Sequence, residues 1–470
     1  MGTSSPTPPG AFTGEPPKFA PPTHVRYLVL AAGCSMALLA YVHRLAFATY
    51  APEIQRDFGL DDQDVGNLMS AFLLFYALFQ IPSGLAGDRL GARMLLSLSV
   101  LAWSVVTALI GLVPAGESGG GGAAGLFLKP LAILLLLRAL FGAVQSGAFP
   151  IFTRVVADWM PLAERGTAQG ALWTASRVGG AMVPPLAAWL LAVFGSWRVP
   201  LEMIAAVGLL WSAAFWYWFR NRPENAPGVN DAELALIGAG QPPADDRPRA
   251  VPWGRILSTP SVGFLCMMYG CCGPAGNFML TLLPFYLRSG SHRALEPGVA
   301  SRMFGLVLAG GFVACLLGGA VSDWLIRRTG SRKWGRRTNG LAALAVAGVS
   351  FAAVPFVRDV WLLGLLFCAA QFFNDFGMGP AWAACADVGE RYAGTISGAM
   401  NMTSNITGAI GASLAGYLFA SGKADWVFFV YGSLWIGAAL CWLGIDVSKP
   451  VTLPSAENST DVYSPEGSEP

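Results

Sequence analysis

Gly84-Leu-Ala-Gly-Asp88-Arg89-Leu-Gly91-Ala-Arg93 lies where one long hydrophobic run ends and another begins. Its glycines and its charged Asp88, Arg89 and Arg93 read as a short polar loop between two membrane-spanning helices. A charged side chain costs about 2.5–3.5 kcal/mol at the bilayer centre and is readily solvated in a loop. A looser copy, Gly319-Ala-Val-Ser-Asp323 followed by Arg327 and Arg328, occurs about half a chain later. Two copies at that separation point to a duplicated six-helix unit. In both copies the aspartate sits where a helix leaves the membrane, which suits a gate rather than a binding site. Asp88 is placed to cap or pair near the start of the eleventh helix when the inner side is closed, while Arg89 and Arg93 hold the loop in the cytoplasm.

The rest of the chain fits that reading. Its 470 residues are 54% hydrophobic and 12% charged, and the mean hydropathy of +0.52 is too high for a soluble protein of two or three domains. A bilayer core of about 30 Å needs roughly 20 apolar residues per helix, and runs of that length recur between short charged or Pro/Gly-rich breaks. A membrane barrel would show short alternating strands instead. The net charge of +2 is spread among loops and offers no surface for nucleic acid. The eight cysteines (Cys34, Cys266, Cys271, Cys272, Cys315, Cys368, Cys385 and Cys441) nearly all fall inside apolar runs. They form neither a metal-ligand spacing nor a disulfide framework. No nucleophile, base and oxyanion arrangement is visible, so the chain is not read as an enzyme, and no cofactor is expected.

The expected fold is all-α: twelve transmembrane helices in two six-helix bundles. The spans fall at about 27–49, 65–86, 94–113, 130–153, 166–194, 200–220, 260–287, 299–325, 338–357, 360–384, 392–420 and 425–446. Residues 1–25 are a polar, Pro-rich tail without the apolar core of a signal peptide, so the first span is expected to serve as the insertion signal. Residues 26–220 form the first bundle, 221–258 a charged, Pro-rich linker, 259–446 the second bundle and 447–470 a polar tail. Asn230-Asp-Ala-Glu-Leu-Ala-Leu-Ile within the linker reads as a capped surface helix, and Gly119–Gly122 as a loop between spans 3 and 4. Arg89, Arg93, Arg154, Arg165, Arg220, Arg222 and the Arg327–Arg337 cluster occupy loops of one parity, which makes those loops and both termini cytoplasmic. Glu53, Asp57, Asp61, Asp62 and Asp64 lie in a loop of the other parity, whereas Arg288, Arg293 and Arg302 run against the rule. The sequon at Asn458 falls in the cytoplasmic tail and carries little weight.

The ionisable residues inside spans carry the functional argument, because each needs a partner, a wet cavity or a ligand. Arg44, preceded by His43, lies in span 1, Arg138 in span 4, Arg177 in span 5 and Asp375 in span 10. The planar guanidinium fork suits a carboxylate or phosphate, and the first half is read as offering no buried acid to balance Arg44 and Arg138. Pairing with carbonyls, or snorkelling to an interface, is the plainer account of any one arginine. Arg177 binds a ligand or simply accompanies close helix packing. Polar stripes line the same centre: Tyr76 and Gln80 in span 2, Gln145 two turns from Arg138, Asn277 and Thr281 in span 7, and Ser397, Asn401, Ser404 and Gly408 in span 11. Trp173 and Trp382 read as packing or interface residues. His43 and Asp375 are the candidates for proton coupling, against the alternatives of a hydrogen-bonded core histidine and a fixed ion pair to an arginine of the other half.

Over residues 25–446 the chain resembles the major facilitator superfamily, whose loop between helices 2 and 3 has the pattern G-x-x-x-D-R/K-x-G-x-R/K. More narrowly it resembles the anion:cation symporters of organic anions and sugar acids. The residues that carry this are Arg44, Arg138-Ala-Leu-Phe-Gly, Phe149-Pro-Ile-Phe-Thr-Arg154 through Trp159 and Glu164-Arg165-Gly, Trp197-Arg198, and Tyr392-Ala-Gly-Thr-Ile-Ser-Gly-Ala-Met-Asn401. The resemblance implies two bundles that rock about a central site lined by helices 1, 4, 7 and 10, with Arg44 and Arg138 binding the substrate's anionic group. Proton-coupled members carry Asp before the first arginine and Glu seven residues after the second. Here His43 and Gln145 stand in those places, so coupling runs through His43 or Asp375, uses another ion, or is absent.

The leading expectation is a secondary active or facilitative transporter of a small organic anion, with or without coupling to a proton or other ion, in the inner membrane. The binding candidates are Arg44, Arg138, Tyr76, Gln80, Gln145, Asn277 and Asn401; the gating candidates are Gly84, Asp88, Arg89, Gly91, Arg93 and Asp323. The alternatives are a non-transporting sensor or receptor on the same fold, and an exporter of neutral or cationic compounds.

Overall fold

The computed structural model describes residues 21–114, 130–239, 251–289 and 295–451. The expected terminal tails up to residue 20 and from 452 on, which include Asn458, lie outside the described residues. So do the Gly119–Gly122 run, linker residues 240–250, Arg293 and the side chain of Arg288.

The chain is helical throughout the described segments. Its first half runs through α1 (Val25–Thr49), the short α2 (Ala51–Phe58), α3 (Asp62–Leu78), α4 (Gln80–Leu90) and α5 (Ala92–Leu112). It continues with α6 (Pro130–Gln145), α7 (Ala148–Trp159), α8 (Arg165–Phe194) and α9 (Arg198–Trp218). The linker holds α10 (Asp231–Gly238) and α11 (Trp253–Ser258). The second half is α12 (Pro260–Asn277), a π-helical turn at Phe278–Leu282, α13 (Leu283–Ser289), α14 (Pro297–Thr329), α15 (Arg332–Ala352), α16 (Val360–Phe376), α17 (Met378–Gly389), α18 (Ala393–Ala420) and α19 (Ala424–Cys441). Among the described residues, nine helical stretches are long and apolar enough to cross a membrane, or ten if the bent α3–α4 pair is one span.

Prolines accompany three of the breaks in the spans, although Pro184 and Pro185 lie inside unbroken α8. Proline lacks an N–H and clashes with the carbonyl four residues earlier. Pro82, Pro150 and Pro380 each stand four residues after an interruption, at Leu78, Ser146 and Phe376, where α3 gives way to α4, α6 to α7 and α16 to α17. At the first of these the axis bends by 46°. Among the spans that run further than expected are two whose ends carry ion pairs. Arg154 pairs with Asp158 one turn on at 2.7 Å, so α7 continues to Trp159. Asp387 is held by two arginines (Arg165 and Arg336), so α17 continues to Gly389.

Side-chain exposure is inverted relative to a soluble protein. Leu210, Tyr217, Phe356 and Trp361 are at least 73% exposed, which makes sense only if lipid is the solvent. Charged and polar groups including Arg138, Gln80, Asp323, Arg336 and Asp375 are buried instead.

The linker helix α10 departs from its expected place. Asn230 does cap it, accepting from the Glu233 N–H at 2.9 Å. Glu233, however, is fully buried rather than surface-exposed, because it accepts hydrogen bonds from the Val25 and Arg26 N–H groups and from Thr23 Oγ1, and pairs with the Arg26 guanidinium at 3.2 Å. A linker carboxylate thereby caps α1 from outside, satisfying backbone donors that the helix cannot. Burial pushes the Glu233 carboxyl up, but these hydrogen bonds outweigh it and leave the group below its usual value.

Candidate functional site

Arg44 and Arg138 come together across α1 and α6. Their guanidinium carbons lie 5.2 and 4.8 Å from the centroid of the same Phe72 ring on α3, which puts them within about 10 Å of each other. Arg44 also covers the Tyr76 ring at 4.4 Å and donates through Nε to Gln145 Oε1 at 2.9 Å, while its buried Nη2 has no hydrogen-bond partner. Arg138 is 2% exposed, boxed by Phe47, Phe72 and Phe141, and reaches only the Leu68 carbonyl at 3.4 Å and Met69 Sδ. Neither arginine meets a carboxylate among the described residues. Ring faces stabilise such cations through their quadrupoles without cancelling the charge.

The other expected binding residues divide. Tyr76 and Gln145 join the pair, and Gln145 also donates to the Ala40 carbonyl at 2.9 Å, which ties α6 to α1. Gln80 is fully buried at the α3–α4 bend with both amide atoms unpartnered. Asn277 instead donates to the Gly408 carbonyl at 3.3 Å, and Thr281 donates to the Asn277 carbonyl at 2.7 Å. The lower stripe of α18 packs on α12, since a Cβ on Gly273 would lie 2.3 Å from the Ser404 carbonyl. Asn401 is 8% exposed on that helix, and its carbonyl accepts from Asn405.

His43 faces away from Arg44. Its Nδ1 lies 2.9 Å from the Leu39 carbonyl and its Nε2 3.5 Å from Ser104 Oγ, and Gly208 on α9 leaves room for the ring. Asp375 accepts from Arg177 Nη2 at 2.7 Å and from Gln371 at 2.8 Å, which realises the fixed pair across the two halves. Nearby, Phe149 stacks on Trp173 with centroids 4.5 Å apart, Trp173 meets Trp382 at 5.2 Å, and Trp382 donates to Tyr269 at 3.0 Å. These four rings come from four helices and both halves, so the tryptophans are packing groups at the seam.

At the end rich in arginines, the two Asp motifs, expected as loops, are helical instead: residues 84–90 continue α4 with only Gly91 between it and α5, and residues 319–328 lie within α14. The two make equivalent contacts. Asp88 accepts from the Gly394 N–H at 3.0 Å, the Thr395 N–H at 2.7 Å and Thr395 Oγ1 at 2.6 Å, at the start of α18. Asp323 accepts from the Gly166 N–H at 3.1 Å, the Thr167 N–H at 2.6 Å and Thr167 Oγ1 at 2.7 Å, at the start of α8. Each half thus caps a helix of the other half with a carboxylate at its positive end. Gly84 and Gly319 permit the approach: a Cβ on either would lie 2.3 or 2.1 Å from a carbonyl oxygen across the seam. Gly91, at φ 85°, turns the chain so that the Arg93 N–H meets Asn221 at 2.8 Å and Arg93 Nε meets the Trp216 carbonyl at 2.8 Å. Arg89 is exposed.

Several participants escaped sequence reading. The donor segments Arg165-Gly-Thr167 and Ala393-Gly-Thr395 are a second internal repeat, legible once the two Asp-containing motifs are set side by side. Fully buried Arg336 bridges Asp323 at 2.7 Å and Asp387 at 3.2 Å, and Arg165 adds a contact to Asp387 at 3.0 Å. Arg336 was hidden in a cluster that read simply as loop charge.

The profile described as Major Facilitator Superfamily matches residues 32–412. A protein of Cupriavidus necator described as probable sulfoacetate transporter SauU is 30% identical over 91% of this chain and 96% of its own length. The probable galactarate/D-glucarate transporter GudP of Escherichia coli is 30% identical over 84% of this chain and 87% of its own. Among solved structures, the Escherichia coli fucose:proton symporter FucP superimposes with a TM-score of 0.67 at 14% identity, over 90% of this chain and 99% of that one.

Proposed function

Because the chain belongs to the Major Facilitator Superfamily, we propose that it moves a small organic anion, a sugar acid or a related carboxylate or sulfonate, across a membrane by alternating access. The observation that carries this reading is the Arg44–Arg138 pair, two guanidiniums around one ring with no carboxylate among the described residues to neutralise them. The names of the relatives support the substrate class, since galactarate and sulfoacetate are both anions with two acidic ends. Tyr76 and Gln145, which meet Arg44, complete the site, and Gln80, Asn277 and Asn401 are further binding candidates.

The chain crosses the bilayer twelve times, counting the 61-residue stretch Val360–Ala420 as two spans and Pro260–Ser289 as one. The arginine-rich end and both termini face the cytoplasm, and the membrane is the inner cell membrane. The Asp88 and Asp323 caps form the gate on that side, closed in this conformation. Of the coupling candidates, His43 is turned to α5 and α9, while Asp375 is committed to Arg177.

Purified protein in liposomes is expected to take up labelled galactarate or sulfoacetate, and Arg44→Ala and Arg138→Ala to reduce uptake to background. Undiminished uptake in both variants refutes the binding role.

A further inference from the structure

The charge arrangement around the two arginines constrains how the carrier can cycle, and the argument rests on the anion-transport reading above. The groups facing Arg44 are Tyr41 on its own helix, Phe72 and Tyr76 on α3, and Gln145 on α6. Those facing Arg138 are Phe47, the Leu68 carbonyl, Met69, Phe72 and Phe141. Among these are two phenols, Tyr41 and Tyr76, and neither a carboxylate nor an imidazole. The acid at membrane depth in the second half, Asp375, is engaged by Arg177 at 2.7 Å. His43 binds Leu39 and Ser104 on the far side of α1. Gln145 occupies the position from which a side-chain oxygen reaches Arg44 Nε at 2.9 Å. A carboxylate there would neutralise the arginine and could also take up a proton; an amide solvates the cation and leaves its charge.

We propose that the protein is an obligate anion exchanger: the Arg44–Arg138 site changes sides only with an anion bound, and a doubly charged anion fits it best. Closing both ends around two uncompensated guanidiniums takes them from water without a counter-charge, which raises the barrier to return of the unloaded carrier. A bound dianion cancels both charges and restores the donors' partners, among them the unpartnered Arg44 Nη2. The loaded form therefore crosses and the unloaded form does not. With no carboxylate among the described residues beside the arginines, a proton gradient has nothing to act on there.

The test uses the full-length protein in liposomes with labelled galactarate or sulfoacetate outside. Uptake is expected to be at least about tenfold faster when the same unlabelled anion is inside than when the lumen is anion-free, as the insertion cost of an unpaired charge implies. An imposed pH gradient is expected to drive no accumulation. Equal uptake into anion-free vesicles, or accumulation driven by the pH gradient, overturns the proposal. Gln145→Glu supplies the missing carboxylate and is expected to permit net, proton-dependent uptake and to abolish the requirement for internal anion; an unchanged requirement in a variant that still exchanges also overturns it. Absence of both net uptake and exchange in the unmodified protein is a different failure, which removes the transport reading itself.

Discussion

Asp88→Asn isolates the gate. The carboxylate accepts three hydrogen bonds at the first turn of α18, from Gly394 N–H, Thr395 N–H and Thr395 Oγ1, using both oxygens. Asparagine keeps one acceptor oxygen. If that oxygen stays on Thr395, its NH2 group is turned toward the Gly394 N–H, donor against donor, and the favourable charge at the helix N-terminus is gone. Hydrogen bonds to charged groups contribute about 1.5–3 kcal/mol and the helix-end charge up to about 1 more, so a net loss of about 2–3 kcal/mol is expected after partial rearrangement. That corresponds to a shift of about 30- to 150-fold from the closed toward the open gate. Spin labels at Arg89→Cys and Arg328→Cys, both exposed and on opposite halves, in a background without the native cysteines, report the change as a growing long-distance population in pulsed EPR. Transport should slow while equilibrium binding of the anion stays largely intact, because Arg44 and Arg138 are untouched. A loss of binding as large as the loss of transport, or an unchanged distance distribution, refutes the gate. Asp323→Asn is a poorer probe, since it also strips fully buried Arg336 of one of its two acids, at a cost of about 3–5 kcal/mol that reaches folding itself.

Gly84→Ala should favour the open gate even more strongly, because its Cβ would lie 2.3 Å from the Gly394 carbonyl, whereas Gly66→Ala, with nothing within 4 Å, should leave the EPR distances unchanged. Glu233→Gln should loosen the linker helix by about 3 kcal/mol, seen as faster hydrogen exchange in α10 and the first turn of α1. Since the folded state holds Glu233 below its usual value, its contribution is complete above that usual value, near 4.5, and is lost as the pH falls through the depressed one; equal exchange rates in the variant and the parent at neutral pH would refute the clamp. At the opposite end, the Trp197 indole N–H and the Arg198 guanidinium hold the Asp57 carboxyl below its usual range, against the upward push of burial. Because that side chain is 41% exposed, Asp57→Asn should cost less than about 1 kcal/mol in a thermal-unfolding assay.

The Gly84–Arg93 stretch shows how far the sequence reached. Apolar runs of about 20 residues have few alternatives in a bilayer, where every backbone group must be satisfied within the segment, so the all-helical fold was legible. The Asp88 contact with α18 was legible too, because a carboxylate at the end of one span has few places to go except the start of another helix. The breaks at Pro82, Pro150 and Pro380 were available in principle, each four residues after the interruption it accompanies. Partnership across the chain was not. Nothing local told that Arg336 lies under Asp323 and Asp387, or that Glu233 leaves the surface to cap α1, since these contacts join residues far apart in sequence.

By itself, then, the sequence determined the solvent in which the protein folds, the duplicated Gly/Asp motifs and the presence of two arginines inside spans of a half read as having no buried acid to balance them. These are consequences of composition and spacing. Only the tertiary structure decided that the two arginines flank a single ring, that His43 turns away from them and that Arg177 holds Asp375. A helix fixes the direction of a side chain only relative to its own axis. Which neighbour it meets depends on how that helix is rotated and packed, and that is set by every other contact at once.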